Sequence, residues 1–384
     1  MNNKIYYWSP FIDKVATIKS VINSSYSLAK YDKFYQPVLL NACGEWNSHK
    51  EEIYQKGIEI IDLTNSKILE GNRKKRGFFT SRLLYFLIIS KVFFPLIKFL
   101  KKNQDEYIII HLITSLPLFL NIFLGKKNKM ILRISGLPKF TIFRKLLWSV
   151  ALKKINTIFC PTIDTKNNLE KIFPNNIGKF KVLRDPVLCV NDIQKLKYQN
   201  FDKNEVEYFV SIGRLTKQKN YLFLLNFLKN YFAKKNCPYH FLIIGEGEEE
   251  EKLKDFIKSN QLENIVKMTG FKKNIFPYLK NAKGLISTSL WEDPGFTLIE
   301  AAYMNTTVIS SDCPNGPKEI LDNGANGYIF ESNSYNSLEN KFNIFLKDSN
   351  KIKNLKKIKI KKFTKNFTIF NHYKILQKTL NEIK

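Results

Sequence analysis

The sequence predicts an α/β protein made of two doubly wound, parallel-sheet domains. Three observations carry that expectation. The chain has 384 residues, of which 44% are hydrophobic and 14% aromatic, which is enough for two cores and too long for one ordinary domain. Short β-branched runs alternate with helical patterns through both halves, the order that builds a parallel sheet. The alternation lapses once, over a polar and weakly patterned stretch at residues 191–204, where the interdomain linker is expected.

Taken in order, the first half opens with an aromatic strand at 4–8, an amphipathic helical pattern at 14–30 and an apolar strand at 37–41. β-branched runs follow at 107–112, 129–134 and 157–160, and a short extended segment, KVLRDPVLCV at 181–190, closes the half. The rhythm restarts more clearly with a strand at 208–212, a helix at 221–233, a strand at 240–244 and a helix at 248–259. Strands at 265–268, 284–288 and 307–311 and helical patterns at 334–347 and 370–383 complete it. The expected domains are residues 1–195, residues 205–365, and a C-terminal helix at 366–384 packing back on the first domain.

Net charge is +28, carried by 55 lysines and only 7 arginines. Arginine is the residue favoured for bidentate reading of phosphate or bases, whereas lysine collects on solvated faces and near anionic lipid. Nucleic acid is therefore not expected as a partner, an anionic membrane surface is, and an AT-rich genome would produce the same lysine surplus. Residues 341–384 concentrate the charge, with 13 lysines against Asp348 and Glu382.

The five cysteines stand singly, without metal-binding spacing, which suits a reducing cytosol. The start of the chain lacks the pattern of a signal peptide. Residues 78–100 are the most apolar stretch, but Arg82, Lys91 and Lys98 interrupt it and Pro95 is expected to break its helix. The stretch reads as an interfacial segment or a buried helix pair, and not as a membrane span.

The chemistry concentrates in WEDPGFTLIEAA at 291–302. Glu292 falls in a loop and Glu300 in an apolar helix start, where a carboxylate is costly unless it is paired or hydrogen-bonded. Vicinal ribose hydroxyls would satisfy Glu300, and so would an ion pair. Gly295 lacks a Cβ, so a ligand can approach the backbone N–H groups of Gly295, Phe296 and Thr297, with Leu298 next in the run, as an anion site.

SIGRLTKQKN at 211–220 follows a strand and places Gly213, Arg214 and Lys219 at a sheet edge, where a guanidinium and an ammonium can hold a diphosphate. IIGEGE at 243–248 puts Gly245 in a tight turn, and VKMTGFK at 266–272 places Phe271 where an aromatic edge could meet a nucleobase. A plain strand-to-helix turn explains the latter equally well.

The ordered series GRLTKQK, IIGEGE, TGF, EDPGFTLIEA and NGYIF resembles the donor domain of glycosyltransferase family 4, the glycosyltransferases group 1 enzymes, over about residues 205–335. The resemblance implies the GT-B fold, two Rossmann-like domains facing a central cleft. It also implies a retaining transfer from a nucleoside diphosphate sugar, UDP-sugar by family frequency, without a metal or other cofactor. It assigns Arg214 and Lys219 to the donor diphosphate, Glu292 to the transferred sugar, Glu300 to the ribose, and the 295–297 backbone to the phosphates. SSDCPNGPKEIL at 310–321 and RISGLP at 133–138 resemble members that build bacterial surface polysaccharide, which implies a glycan or lipid-linked acceptor and a peripheral place on the inner face of the cytoplasmic membrane.

In the first half the loop at 9–17 lacks the Gly-Gly pair of many relatives. Ser9, His111, Arg133 and Ser135 are the acceptor-side candidates, Ser135 standing where many relatives place a catalytic His. Two alternatives compete: a nucleotide-sugar 2-epimerase of the same fold, and a basic lipid- or nucleic-acid-binding protein without catalysis.

Overall fold

The computed structural model describes residues 3–10, 16–70, 78–111, 115–125, 128–199, 201, 206–233 and 237–383. Parts of the expected loop at 9–17, strand at 107–112 and linker at 191–204 lie outside them. The chain forms two compact units, residues 1–186 with 369–384, and residues 187–368.

The first unit runs β1 (Asn3–Trp8), α1 (Ala16–Tyr31), β2 (Tyr35–Asn41), α2 (Lys50–Gln55), β3 (Glu59–Asp62), α3 (Phe78–Lys102) and β4 (Tyr107–Ile110). It continues with α4 (Leu116–Phe123), β5 (Lys129–Arg133), α5 (Ile142–Leu152), β6 (Ile155–Cys160), α6 (Ile163–Ile172) and β7 (Phe180–Val182). The strands form a parallel sheet ordered β3-β2-β1-β4-β5-β6-β7.

Successive residues on a strand face opposite sides, and both faces here are covered, so the central strands are apolar throughout. Tyr6, Trp8, Val38, Leu40, Ile108 and Ile110 enter one core, with α3, α4 and α5. Ile5, Tyr7, Leu39, Ile109, Ile131 and Phe159 enter the other, with α1.

The second unit holds α7 (Val190–Leu196), β8 (Tyr208–Ile212), α8 (Tyr221–Phe232), β9 (His240–Ile244), α9 (Glu250–Ser259) and β10 (Val266–Met268). Then come α10 (Phe276–Asn281), β11 (Gly284–Ser287), α11 (Phe296–Tyr303), β12 (Thr307–Ser311), α12 (Pro317–Ile320), β13 (Tyr328–Phe330), α13 (Tyr335–Lys347) and α14 (Asn350–Thr364). Its parallel sheet is ordered β10-β9-β8-β11-β12-β13. The closing helix α15 (Ile369–Glu382) belongs to the first unit, where Leu376 and Leu380 join the core of α1.

Two local expectations change. The stretch at 191–204, expected as a linker, begins within α7, because Ile193 finds a place in the core of the second unit. Pro95 lies inside α3 without ending it. A proline removes one helical hydrogen bond and crowds the preceding turn, but Leu84, Ile88, Val92, Leu96 and Leu100, spaced every fourth residue, anchor the helix in the core on both sides of it.

Candidate functional site

In the second sheet, β9 and β10 extend to one side of β8, and β11, β12 and β13 to the other. The chain reverses its direction of travel between β8 and β11, and in open parallel sheets the crevice beyond the strand ends at such a point is where ligands bind. The β8–α8 loop carries Gly213, Arg214 and Lys219 to one side of that crevice, and the loop after β11 carries Glu292 to the other.

The two loops are tied together by polar contacts. The Thr288 hydroxyl donates to the carbonyls of Lys219 and Asn220, each at 3.1 Å. Leu290 N donates to Gln218 O at 2.8 Å, and the Gln218 amide donates to Trp291 O at 2.9 Å. Across this frame the Lys219 ammonium meets Glu292 Oε1 at 2.5 Å, with both side chains largely buried. Ser289, also buried, donates to the same oxygen at 2.6 Å.

Glycines set how closely the backbone packs here. A Cβ on Gly213 would stand 2.9 Å from Lys219 Cε, so its absence lets the lysine stem lie across the strand end. Gly245 is closer still, since a Cβ would come within 1.9 Å of Gly213 O. Gly213 N donates to Ile244 O and Gly245 N to Gly270 O, each at 3.0 Å. These glycines therefore shape the sheet edge, and their N–H groups are used within it.

Beyond Glu292, the loop turns through a cis Asp293–Pro294 bond into Gly295, whose φ of +99° favours glycine. The first backbone bonds of α11 are Leu298 N and Ile299 N to Gly295 O. The amides of Gly295, Phe296 and Thr297 thus head the helix at its positive end, beside Lys219 and Glu292. Thr297 lines a small cavity together with Lys219, Tyr221 and residues 287–289. Glu300, one turn on from Thr297 and on the same helix face, is 5% exposed.

The remaining candidates divide. Arg214 is exposed and reaches Gln218 at 3.5 Å. Leu298 has its side chain in the core and its N–H on Gly295 O, so it supports the helix start and has no polar group to offer a ligand. Phe271 follows Gly270 beyond β10 and is 66% exposed.

Three contributors were missed in the sequence: Ser289, Tyr221 and Gly316. Burial, followed by the charge of Glu292, pushes the Tyr221 hydroxyl pKa upward. Gly316 passes Pro294 so closely that a Cβ would sit 2.0 Å from Pro294 O, and nearby Glu292 N donates to Pro314 O. The glycine of PNGP was the available signal.

In the first unit, β1, β4 and β5 are neighbours, and Ser9, His111 and Ser135 follow their carboxyl ends. Ser9 and His111 are 5% exposed, whereas Ser135 is exposed and meets the Thr17 hydroxyl at 3.4 Å. Arg133 is buried in contact with Asp185, Ser20 and His111 Nδ1, the last at 3.3 Å. Burial and then the Arg133 charge hold the His111 pKa well below its usual value.

Residues 192–362 match the family model described as Glycosyl transferases group 1. An uncharacterized glycosyltransferase of Methanocaldococcus jannaschii is 28% identical over 80% of this chain and 77% of its own. An α-1,4-N-acetyl-D-galactosaminyltransferase of Campylobacter jejuni, named for an undecaprenol-diphosphate-linked glycan, is 26% identical over 70% of this chain and 73% of its own. Among solved structures, Anabaena HepE in complex with UDP and glucose superposes with a TM-score of 0.71 at 16% identity, covering 99% of this chain and 100% of that one. At that identity the likeness concerns the fold, which is GT-B.

Proposed function

We propose, from the match of residues 192–362 to the glycosyl transferases group 1 model, that the chain is a glycosyltransferase and performs a retaining transfer of a sugar from a nucleoside diphosphate donor, UDP-sugar in the first instance, to a glycan or lipid-linked acceptor. The observation that carries the reading is the Lys219–Glu292 pair beside the N-terminus of α11, at the point where the strand order reverses.

A donor diphosphate placed at the α11 amides would lie against Lys219, with Arg214 supplying a second cation at the crevice rim. As the bond to the anomeric carbon breaks, negative charge grows on the leaving diphosphate, and fixed dipoles and cations near it stabilise the transition state without having to reorganise. Arg214, Lys219 and the helix end would take that task, and none of it would fall to a divalent ion. Glu292, oriented by Ser289 and Lys219, faces the transferred sugar, and Glu300 faces the ribose. The acceptor hydroxyl attacks on the face the leaving group vacates, and its proton passes to the departing phosphate oxygen.

The similarity to the Campylobacter enzyme supports a lipid-linked glycan as acceptor class, hence a role in surface polysaccharide such as lipopolysaccharide or capsule. A peripheral place on the inner face of the cytoplasmic membrane follows from that chemistry. The test is incubation with a panel of UDP- and GDP-sugars, with and without undecaprenyl-diphosphate-linked saccharides, followed by NMR of the product. Retained anomeric configuration with acceptor-dependent turnover supports the reading. Donor epimerisation without acceptor, or an inverted product, overturns it.

A further inference from the structure

Helices α3, α4 and α5 cover the same face of the first sheet, for all three bury residues in one core. They connect β3 to β4, β4 to β5 and β5 to β6 in turn, so crossovers of one hand lay them side by side.

The outward side of this layer is apolar where a solvated surface would be polar. Phe86 and Phe94 project from α3, Phe123 from α4, and Ile142, Phe143 and Leu146 from α5. Ile142 and Phe143 are 87% and 85% exposed, although they open a helix whose buried side is well filled by Trp148, Ala151 and Leu152. Apolar side chains gathered on one face, unlike scattered ones, mark a surface meant to be covered.

Charge identifies what covers it. Residues 71–154 contain 18 lysines and arginines, and their only acids are Asp105 and Glu106. α3, α4 and α5 carry no acid at all, while Lys91, Lys98, Arg144 and Lys145 stand among their exposed apolar residues. A second copy of the chain would bring cations against cations. An anionic bilayer accepts both components, taking the apolar side chains at the acyl boundary and the lysines at the headgroups.

Although α3 has a segment, Leu83–Lys102, long and apolar enough to cross a membrane, Leu84, Ile88, Val92, Leu96 and Leu100 already pack on the sheet. We propose that the α3–α4–α5 layer docks flat on an anionic bilayer, with α5 inserting Ile142, Phe143 and Leu146. The proposal gives the peripheral placement above a defined surface, and it is independent of donor chemistry.

The experiment is flotation of the full-length protein with phosphatidylcholine vesicles, pure or rich in phosphatidylglycerol, in the absence of donor and acceptor. The wild type should float with the anionic vesicles only, and less at high salt. Phe143→Asp with Leu146→Asp should lower partitioning by about tenfold or more, and Lys145→Glu, which reverses one charge, by about tenfold. Melting temperature and nucleotide affinity should stay at wild-type values, since these side chains are exposed. Wild-type protein that ignores anionic vesicles, variants that bind as the wild type does, or a wild-type oligomer that the substitutions dissolve would each overturn the proposal.

Discussion

The ammonium of Lys219 lies 2.5 Å from Glu292 Oε1, joining the loop after β8 to the loop after β11 across the crevice of the second sheet. Each charge makes the other tolerable, because burying either alone would cost several kcal/mol. Glu292→Gln keeps a hydrogen-bonding partner for Lys219 and Ser289, so its melting temperature should stay close to wild type while turnover falls about 10²- to 10³-fold. Lys219→Ala leaves the carboxylate buried with Ser289, and should lower stability by about 3 kcal/mol or more in denaturant titration.

On the proposed function, Ser289 would act on the reaction through Glu292. Its hydroxyl donates to the same oxygen as Lys219, at 2.6 Å, and a hydrogen bond to a charged group is worth about 1.5–3 kcal/mol. Ser289→Ala should therefore lower kcat by about tenfold or more with little change in donor KM, and Ser289→Thr should restore most of it. A loss confined to KM would show that Ser289 does not orient the carboxylate during transfer.

Gly316 tests the close packing under the Pro294 turn. A methyl group there would meet Pro294 O at 2.0 Å, so either the 292–295 loop or the 313–316 loop must move. Gly316→Ala should weaken nucleotide binding more than it lowers the melting temperature, because the displaced loop heads α11. Unchanged affinity would mean that the loop position does not matter to the ligand.

Acid should unfold the first unit through its buried histidines. His372 is fully buried, with Ser24 Oγ at 2.8 Å from Nε2 and Arg184 O at 2.8 Å from Nδ1. Burial, reinforced by Arg133, lowers its pKa from 6.5 to about 3. The unfolded chain thus binds a proton that the folded chain refuses. Stability from this group is complete above the unfolded value of 6.5 and is lost as pH falls from 6.5 toward 3, at about 1 kcal/mol per pH unit. His111 is shifted in the same direction and adds to the slope. Denaturant titrations at stepped pH should show this decline, and His372→Asn should flatten it.

The sequence made the second unit more legible than the first, for a physical reason. A phosphate-gripping edge needs glycine, lysine, arginine and acids at set places after set strands, so GRLTKQK and EDPGFTLIE announce their positions. Ser289 and Tyr221 were missed because a serine before a loop and a tyrosine at a helix start look ordinary until folding brings them beside Glu292 and Lys219. Pro95 leaves α3 unbroken because five buried aliphatic residues of the helix outweigh its local cost. Arg133 and Asp185 are 52 residues apart in sequence, and nothing local announces that they pair. The helix at Val190–Leu196 was hidden by its polar residues, since Ile193 alone carries most of its burial.

Whether the loops after β8 and β11 hold a nucleotide is read by titration calorimetry with UDP, GDP and their sugar conjugates, on the wild type and on Lys219→Ala and Gly295→Ala proteins. At least one nucleotide should bind the wild type at one site per chain, and each substitution should weaken it by about tenfold or more, as expected when a charge-assisted contact or the close approach to the helix amides is lost. Absence of binding by every nucleotide, or binding indifferent to both substitutions, would contradict a nucleotide site there.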